Sequence, residues 1–82
     1  MSIVVYSQPN CPSCVKAKNL LNSKGMVYTE IVIGEHVVKE QFIATFPHVK
    51  TVPYIMVDGM PIGGYEKLAE WLNKTNEQFL TE

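Results

Sequence analysis

Cys11 and Cys14 are the only cysteines in a chain of 82 residues, and Pro12 and Ser13 separate them. Three residues span roughly one helical turn, which brings both sulfurs to one face. Their Cα atoms then lie at about the 5.5 Å spacing that a disulfide accepts. The pair can therefore be closed as a disulfide or released as two thiols. Ahead of it runs a short apolar segment, Ile3-Val4-Val5-Tyr6, and behind it a helical pattern from Val15 to Leu21. A Cys-x-x-Cys between a strand and a helix reads as a redox site.

The placement tells the two sulfurs apart. Pro12 suits the first helical position, where its missing N–H leaves nothing unsatisfied. Cys11 then becomes the N-cap, whose side chain accepts from amides two or three residues on, here Ser13 and Cys14. The positive end of the helix dipole also favours an anion there. A free cysteine titrates near pH ~8.5, and helix N-termini in such motifs lower this to roughly 3.5–7.5. Cys11 is expected to be a thiolate at neutral pH, and Cys14, inside the first turn, a thiol. Cys11 would attack a substrate disulfide, and Cys14 would then displace the substrate by attacking Cys11.

Composition narrows the setting. The length fits one small domain, residues 1–82, with an ordinary apolar fraction. Seven lysines, no arginine and eight acidic residues leave a net charge of −1, which gives no support for nucleic-acid binding. No apolar stretch is long enough to span a bilayer, and the first residues lack a basic-then-apolar leader. The expectation is a cytoplasmic monomer in a compartment where thiols are kept reduced. A lone cysteine pair there is catalytic or metal-binding rather than a structural staple.

The elements that must position the cysteines follow from periodicity. Ile3–Tyr6 suits a buried strand, and Pro12–Ser23 a helix with Cys14, Ala17, Leu20 and Leu21 on one face. Gly25 is its natural stop. Val27–Ile33 reads as a strand rich in β-branched residues. Val37–Phe46 reads as a weaker helix, with Val38, Phe42, Ile43 and Phe46 at core spacing and Pro47 ending it. Tyr54–Val57 and Met60–Ile62 flank Asp58-Gly59, a hairpin signal. After Gly63-Gly64, helical periodicity resumes over Tyr65–Asn73, with a further turn or two toward Phe79 and Leu80. The order β-α-β-α-β-β-α implies an α/β domain with a central mixed sheet flanked by helices. The first strand should be central, with the cysteine loop at its C-terminal end, where open α/β sheets bind ligands.

Three motifs in this order resemble the glutaredoxin family: Cys11-Pro12-Ser13-Cys14 after a strand, Thr51-Val52-Pro53 before the third strand, and Ile62-Gly63-Gly64-Tyr65 opening the last helix. The resemblance covers nearly the whole chain. It implies a thioredoxin-like fold, a four-stranded sheet of order 2-1-3-4 with the third strand antiparallel to the first, and a cis peptide before Pro53. It implies a thiol–disulfide oxidoreductase with no tightly bound cofactor and no metal. Glutathione would serve as co-substrate, and disulfide-containing proteins as clients, ribonucleotide reductase among them.

The resemblance also implies a binding set. Pro53 forces Val52 to be extended, so Val52 can pair its N–H and C=O with an extended peptide, by resemblance the cysteinyl part of glutathione. Gly63 and Gly64 let a backbone approach. The helix N-terminus at Gly64, Tyr65 and Glu66 offers amides to the γ-glutamyl carboxylate. Tyr6 and Gln8 would flank the cysteine loop together with Pro12 and Ser13, while Lys50 and Thr51 precede Val52.

The chain departs from the family pattern in places. Ser13 stands where an aromatic residue is common, and Gln8 where lysine is usual. Lys50 could supply the missing charge. Glu66-Lys67 replaces an acidic pair. Gln8 and Ser13 leave open a protein reduced instead by thioredoxin reductase. Two other readings remain. Cys11 and Cys14 could be half of a zinc site, although His36 and His48 lack finger spacing. They could also hold an iron–sulfur cluster as a carrier, which Pro12 disfavours by the same resemblance.

Overall fold

The computed structural model describes residues 2–49 and 51–80, with side chains through residue 73. Lys50 lies outside the described residues. The elements run β1 (Ile3–Ser7), α1 (Pro12–Ser23), β2 (Thr29–Val32), α2 (Lys39–Thr45), β3 (Tyr54–Val57), β4 (Met60–Gly63) and α3 (Tyr65–Leu80). They form a four-stranded sheet in the order β2-β1-β3-β4. β1 is parallel to β2 and antiparallel to β3, and β4 is antiparallel to β3. This is the mixed sheet anticipated for a thioredoxin-like fold, with β1 central.

Alternation along the strands splits the apolar residues between two layers. On one face Ile3 and Val5 of β1 join Ile55 and Val57 of β3, and α1 and α3 cover them with Ala17, Leu21, Leu68 and Leu72. On the other face Tyr54 meets Ile33 and Phe42, with Tyr6, Phe46 and Met56 packed against them. Period-two side-chain direction requires this division once β1 is flanked on both edges. Tyr6, Phe42, Phe46 and Tyr54 pack as tilted and edge-on rings with centroids 5.2–6.3 Å apart, the arrangement aromatic quadrupoles favour.

α1 ends as its sequence anticipates. Gly25 takes φ 69°, its N–H donates to the Asn22 carbonyl, and the Met26 N–H donates to that of Leu21. This is the six-to-one and five-to-two pattern of a Schellman cap. Asp58 and Gly59 both take positive φ, 51° and 80°, as a two-residue hairpin of the twist-compatible type requires.

Two elements are shorter than periodicity implies. β2 does not begin at Val27, which is 87% exposed. Its parallel register runs only from Val4↔Thr29 to Ser7↔Val32; continued back to Val27 it would need Ser2, which lies ahead of β1. α2 begins at Lys39 rather than Val37. The 33–38 segment is a closed turn in which the Gly34 N–H donates to the Val37 carbonyl at 2.7 Å and the Val32 N–H to His36 Nδ1 at 2.9 Å. Val38 is left as an extended N-cap. Of the four residues placed at core spacing, Phe42 is buried and Phe46 packs against its cluster, whereas Val38 and Ile43 are exposed. So short a helix presents only one narrow stripe to the sheet.

Candidate active site

The cysteine loop leaves β1 at Ser7 and reaches Cys11 through Asn10, which takes φ 58°, a conformation asparagine tolerates better than most residues. Cys11 caps α1 in an extended conformation, with Pro12 in the first turn. Its carbonyl accepts from the Val15 N–H at 3.2 Å. Its sulfur accepts from the Cys14 N–H, also at 3.2 Å. Of the two amides anticipated, Cys14 makes this bond. The two sulfurs are joined as a disulfide, with Cα atoms 5.2 Å apart, inside the window that needs no backbone movement.

The two sulfurs sit in different surroundings. Cys14 is 1% exposed and Cys11 is only half-buried. An incoming disulfide therefore meets Cys11 first. Once reduced, Cys11 keeps an amide donor and a helix N-terminus at its sulfur, both of which stabilise a thiolate over a thiol.

Val52 approaches from the far side of the cysteines. Its carbonyl oxygen lies 3.9 Å from Cys11 Sγ, and the Val52–Pro53 peptide is cis. Val52 borders two clefts. One, of about 600 Å³, is lined by Ser13, Thr51, Val52 and Pro53 on one side and by Gly64, Tyr65 and Glu66 on the other. The other, of about 540 Å³, joins Gln8, Thr51 and Val52 to Phe42 and Ile43. Cys11, Pro12 and Cys14 line a third, of about 710 Å³, on the side of the loop facing β2; Gln8 reaches this one as well.

Most residues singled out from the sequence thus converge on the cysteine loop. Tyr6 stands apart in the aromatic layer, and it lines none of these three clefts. Gly63 ends β4 with φ 124°, and a β-carbon there would meet Lys67 Cγ at 3.0 Å. The close-approach argument applies differently to Gly64, where a β-carbon would make an ordinary 3.6 Å contact with the Pro53 carbonyl. The sequence reading missed Lys16 and Lys67 in the Ser13 cleft and Lys39 in the Gln8 cleft. Helical spacing marked Lys16 as exposed, but nothing in the sequence says which cleft a surface lysine borders.

A second feature escaped the sequence entirely. Glu30 Oε2 accepts from Ser7 Oγ at 2.7 Å and from Lys18 Nζ at 2.8 Å, and Ser7, Lys18 and Glu30 line the cysteine cleft. The Lys18 and Ser7 bonds, the nearby Lys18 charge and that of His36 outweigh partial burial and hold the Glu30 carboxyl below its usual range. Among the described residues no three His, Cys, Asp or Glu side chains cluster as a metal site would need. No helix there is long and apolar enough to cross a membrane.

The glutaredoxin family model matches residues 3–62. Over 69 residues the chain is 42% identical to glutaredoxin 1 of Rickettsia conorii, covering 82% of this chain and 68% of that protein. In three dimensions it resembles glutaredoxin 1 of Francisella tularensis, solved with cacodylate. The TM-score is 0.80 at 24% identity, over 93% of this chain and 96% of that one. It also resembles a buckwheat glutaredoxin–glutathione complex, with a TM-score of 0.74 at 23% identity, over 89% and 69%. The matched region spans the capped cysteine, the buried one and the cis-proline loop, and the chain belongs to the glutaredoxin family of thiol–disulfide oxidoreductases.

Proposed function

We propose that this oxidoreductase draws its electrons from glutathione and reduces both glutathione mixed disulfides and protein disulfides. In this reading Cys11 attacks the substrate disulfide, and Cys14 resolves the resulting mixed disulfide on proteins. A second glutathione can resolve it when the substrate is small. The observation that carries the reading is the Ser13 cleft, which joins Val52 to Gly64, Tyr65 and Glu66 while the Val52 carbonyl oxygen lies 3.9 Å from Cys11 Sγ.

An extended tripeptide with its sulfur at Cys11 would pair its cysteinyl backbone with Val52. Its γ-glutamyl carboxylate would meet the first amides of α3, with Lys16 and Lys67 nearby, and Glu66 would face its ammonium. Its glycyl carboxylate would lie toward the Gln8 cleft. Gln8 brings no charge, and among the described residues Lys39 is the cation lining that cleft. Lys39 thus joins Lys50 as a source of the missing charge. The buckwheat relative was solved as a complex with glutathione, which supports the same ligand here through the shared fold. Ribonucleotide reductase, as a client, rests on the family resemblance alone, and a cytoplasmic location on the composition of the chain.

A coupled assay tests the electron source. A small mixed disulfide is supplied either with glutathione and glutathione reductase or with thioredoxin reductase, NADPH driving both. Turnover with glutathione is expected. Turnover only with thioredoxin reductase would overturn the reading. Adding ribonucleotide reductase as the disulfide client tests that partner, with deoxyribonucleotide formation as the readout.

A further inference from the structure

Ser7 is the one polar side chain buried among the described residues, and the thiol chemistry has no direct use for it. It sits at the end of β1, where the chain turns toward Cys11, and donates to Glu30 on β2. The Lys18 ammonium bonds the same carboxylate oxygen. Lys18 follows Cys14 by four residues on α1, a spacing that stacks side chains on one helix face. Cys14, Lys18, Glu30 and Ser7 all border the same cleft.

We propose that Glu30 is a positioning residue that keeps Cys14 a neutral thiol by cancelling the charge of Lys18. This rests on the reading of Cys14 as the resolving cysteine. An unpaired ammonium one turn beyond Cys14 would stabilise a thiolate there as well as at Cys11. Two adjacent thiolates would repel, and the distinction between attacking and resolving sulfur would blur. With Glu30 in place the pair is neutral, and Cys11 alone carries the anion.

The rival role, Glu30 as a base for Cys14, fails on magnitude. Its carboxyl lies below the ordinary 4.5, while a thiol releases its proton near pH ~8.5. Such a transfer is unfavourable by more than about 10⁴-fold. In the resolving step the Cys14 sulfur bonds to Cys11 and the Cys11–substrate bond breaks. The electron pair departs on the substrate sulfur, which takes up the proton that Cys14 gives off. Other charges face the cleft or act on it. Cys11 lies at its rim, Glu35 follows β2 on its wall, and His36 acts on Glu30 through its charge. Lys16 borders the opposite cleft.

The test is the pH titration of Cys14 in Cys11→Ser protein, followed by ultraviolet thiolate absorbance. Adding Glu30→Gln should lower the midpoint by about one pH unit, a tenfold change in the thiolate-to-thiol ratio. Lys18→Gln alone should raise it, and the Glu30→Gln/Lys18→Gln pair should return it to the parent value. Glu30→Asp should restore it in part, since a merely structural role would respond to shape rather than charge. An unchanged midpoint in Glu30→Gln, or a shift that Lys18→Gln does not cancel, overturns the proposal. Should Glu30→Gln not fold, the sign of the Lys18→Gln shift decides. None of these titrations involves glutathione, so their outcome is independent of the electron source.

Discussion

The Cys14 backbone amide donates to the sulfur of Cys11 across 3.2 Å, so the buried cysteine helps to hold the reactive one through its main chain. A substitution of the Cys14 side chain leaves this bond in place. Cys14→Ser should therefore retain an acidic thiol at Cys11. It should reduce glutathione mixed disulfides and lose turnover on protein disulfides, whereas Cys11→Ser should lose both. Steady-state assays on the two substrate types, with the reductant fixed, check this split. Protein-disulfide turnover at the parent rate in Cys14→Ser would exclude Cys14 as the resolving group.

Gln8 and Lys39 share the cleft beside Val52. Lys39→Glu should weaken glutathione through its glycyl carboxylate, raising KM several-fold with little change in kcat, as loss of uniform binding does. Gln8→Lys should lower KM. Initial rates against glutathione concentration separate the two effects. An unmoved KM in both variants would place the carboxylate elsewhere.

The Glu30 network should show in acid. Its carboxyl is held below the ordinary 4.5, first by the Lys18 and Ser7 hydrogen bonds. A depressed folded-state value means stability that is present above the unfolded value and lost as pH falls through the folded one. The parent should therefore lose urea resistance below about pH 4.5, in part through this group. Glu30→Gln should be less stable than the parent at neutral pH and converge with it in acid. Urea midpoints across this range check the convergence, and a constant difference would contradict it.

Gly63→Ala tests the backbone at the start of α3. The φ of 124° is one that L residues rarely adopt, and the new methyl would press on Lys67 at 3.0 Å. A loss of about 1–3 kcal/mol is expected. Gly64→Ala, which meets only an ordinary contact, should cost less. Chemical denaturation of the two variants side by side reads the difference.

Leu68→Ala tests how far α3 carries the fold. Leu68 is fully buried against the sheet, and its truncation should cost about 2–5 kcal/mol. A chain of this length has about 4–12 kcal/mol in total. The variant should unfold at markedly lower urea, and a shift under 1 M would contradict the packing described.

The sequence alone determined the local devices. Cys-x-x-Cys before a helix, proline at its first position, Gly25 at its end and Asp58-Gly59 at the hairpin all act through neighbours a few residues away, so spacing reveals them. Element order also followed, because periodicity is local and the crossover rules are few. Element ends did not. Val27 and Val37 have the right residue type for a strand and a helix, but β1 is too short to pair with one, and the closed 33–38 turn withholds the other from α2. The positions of charges were likewise decided only in three dimensions. Lys18 and Glu30 lie twelve residues apart on different elements, and Lys16, Lys39 and Lys67 acquire their clefts only when α1, α2 and α3 settle against the sheet. A lysine carries no local signal of its eventual neighbour, since that neighbour is set by packing between distant segments. What surrounds the two sulfurs was therefore a matter of tertiary structure, while the sulfurs themselves were plain from the chain.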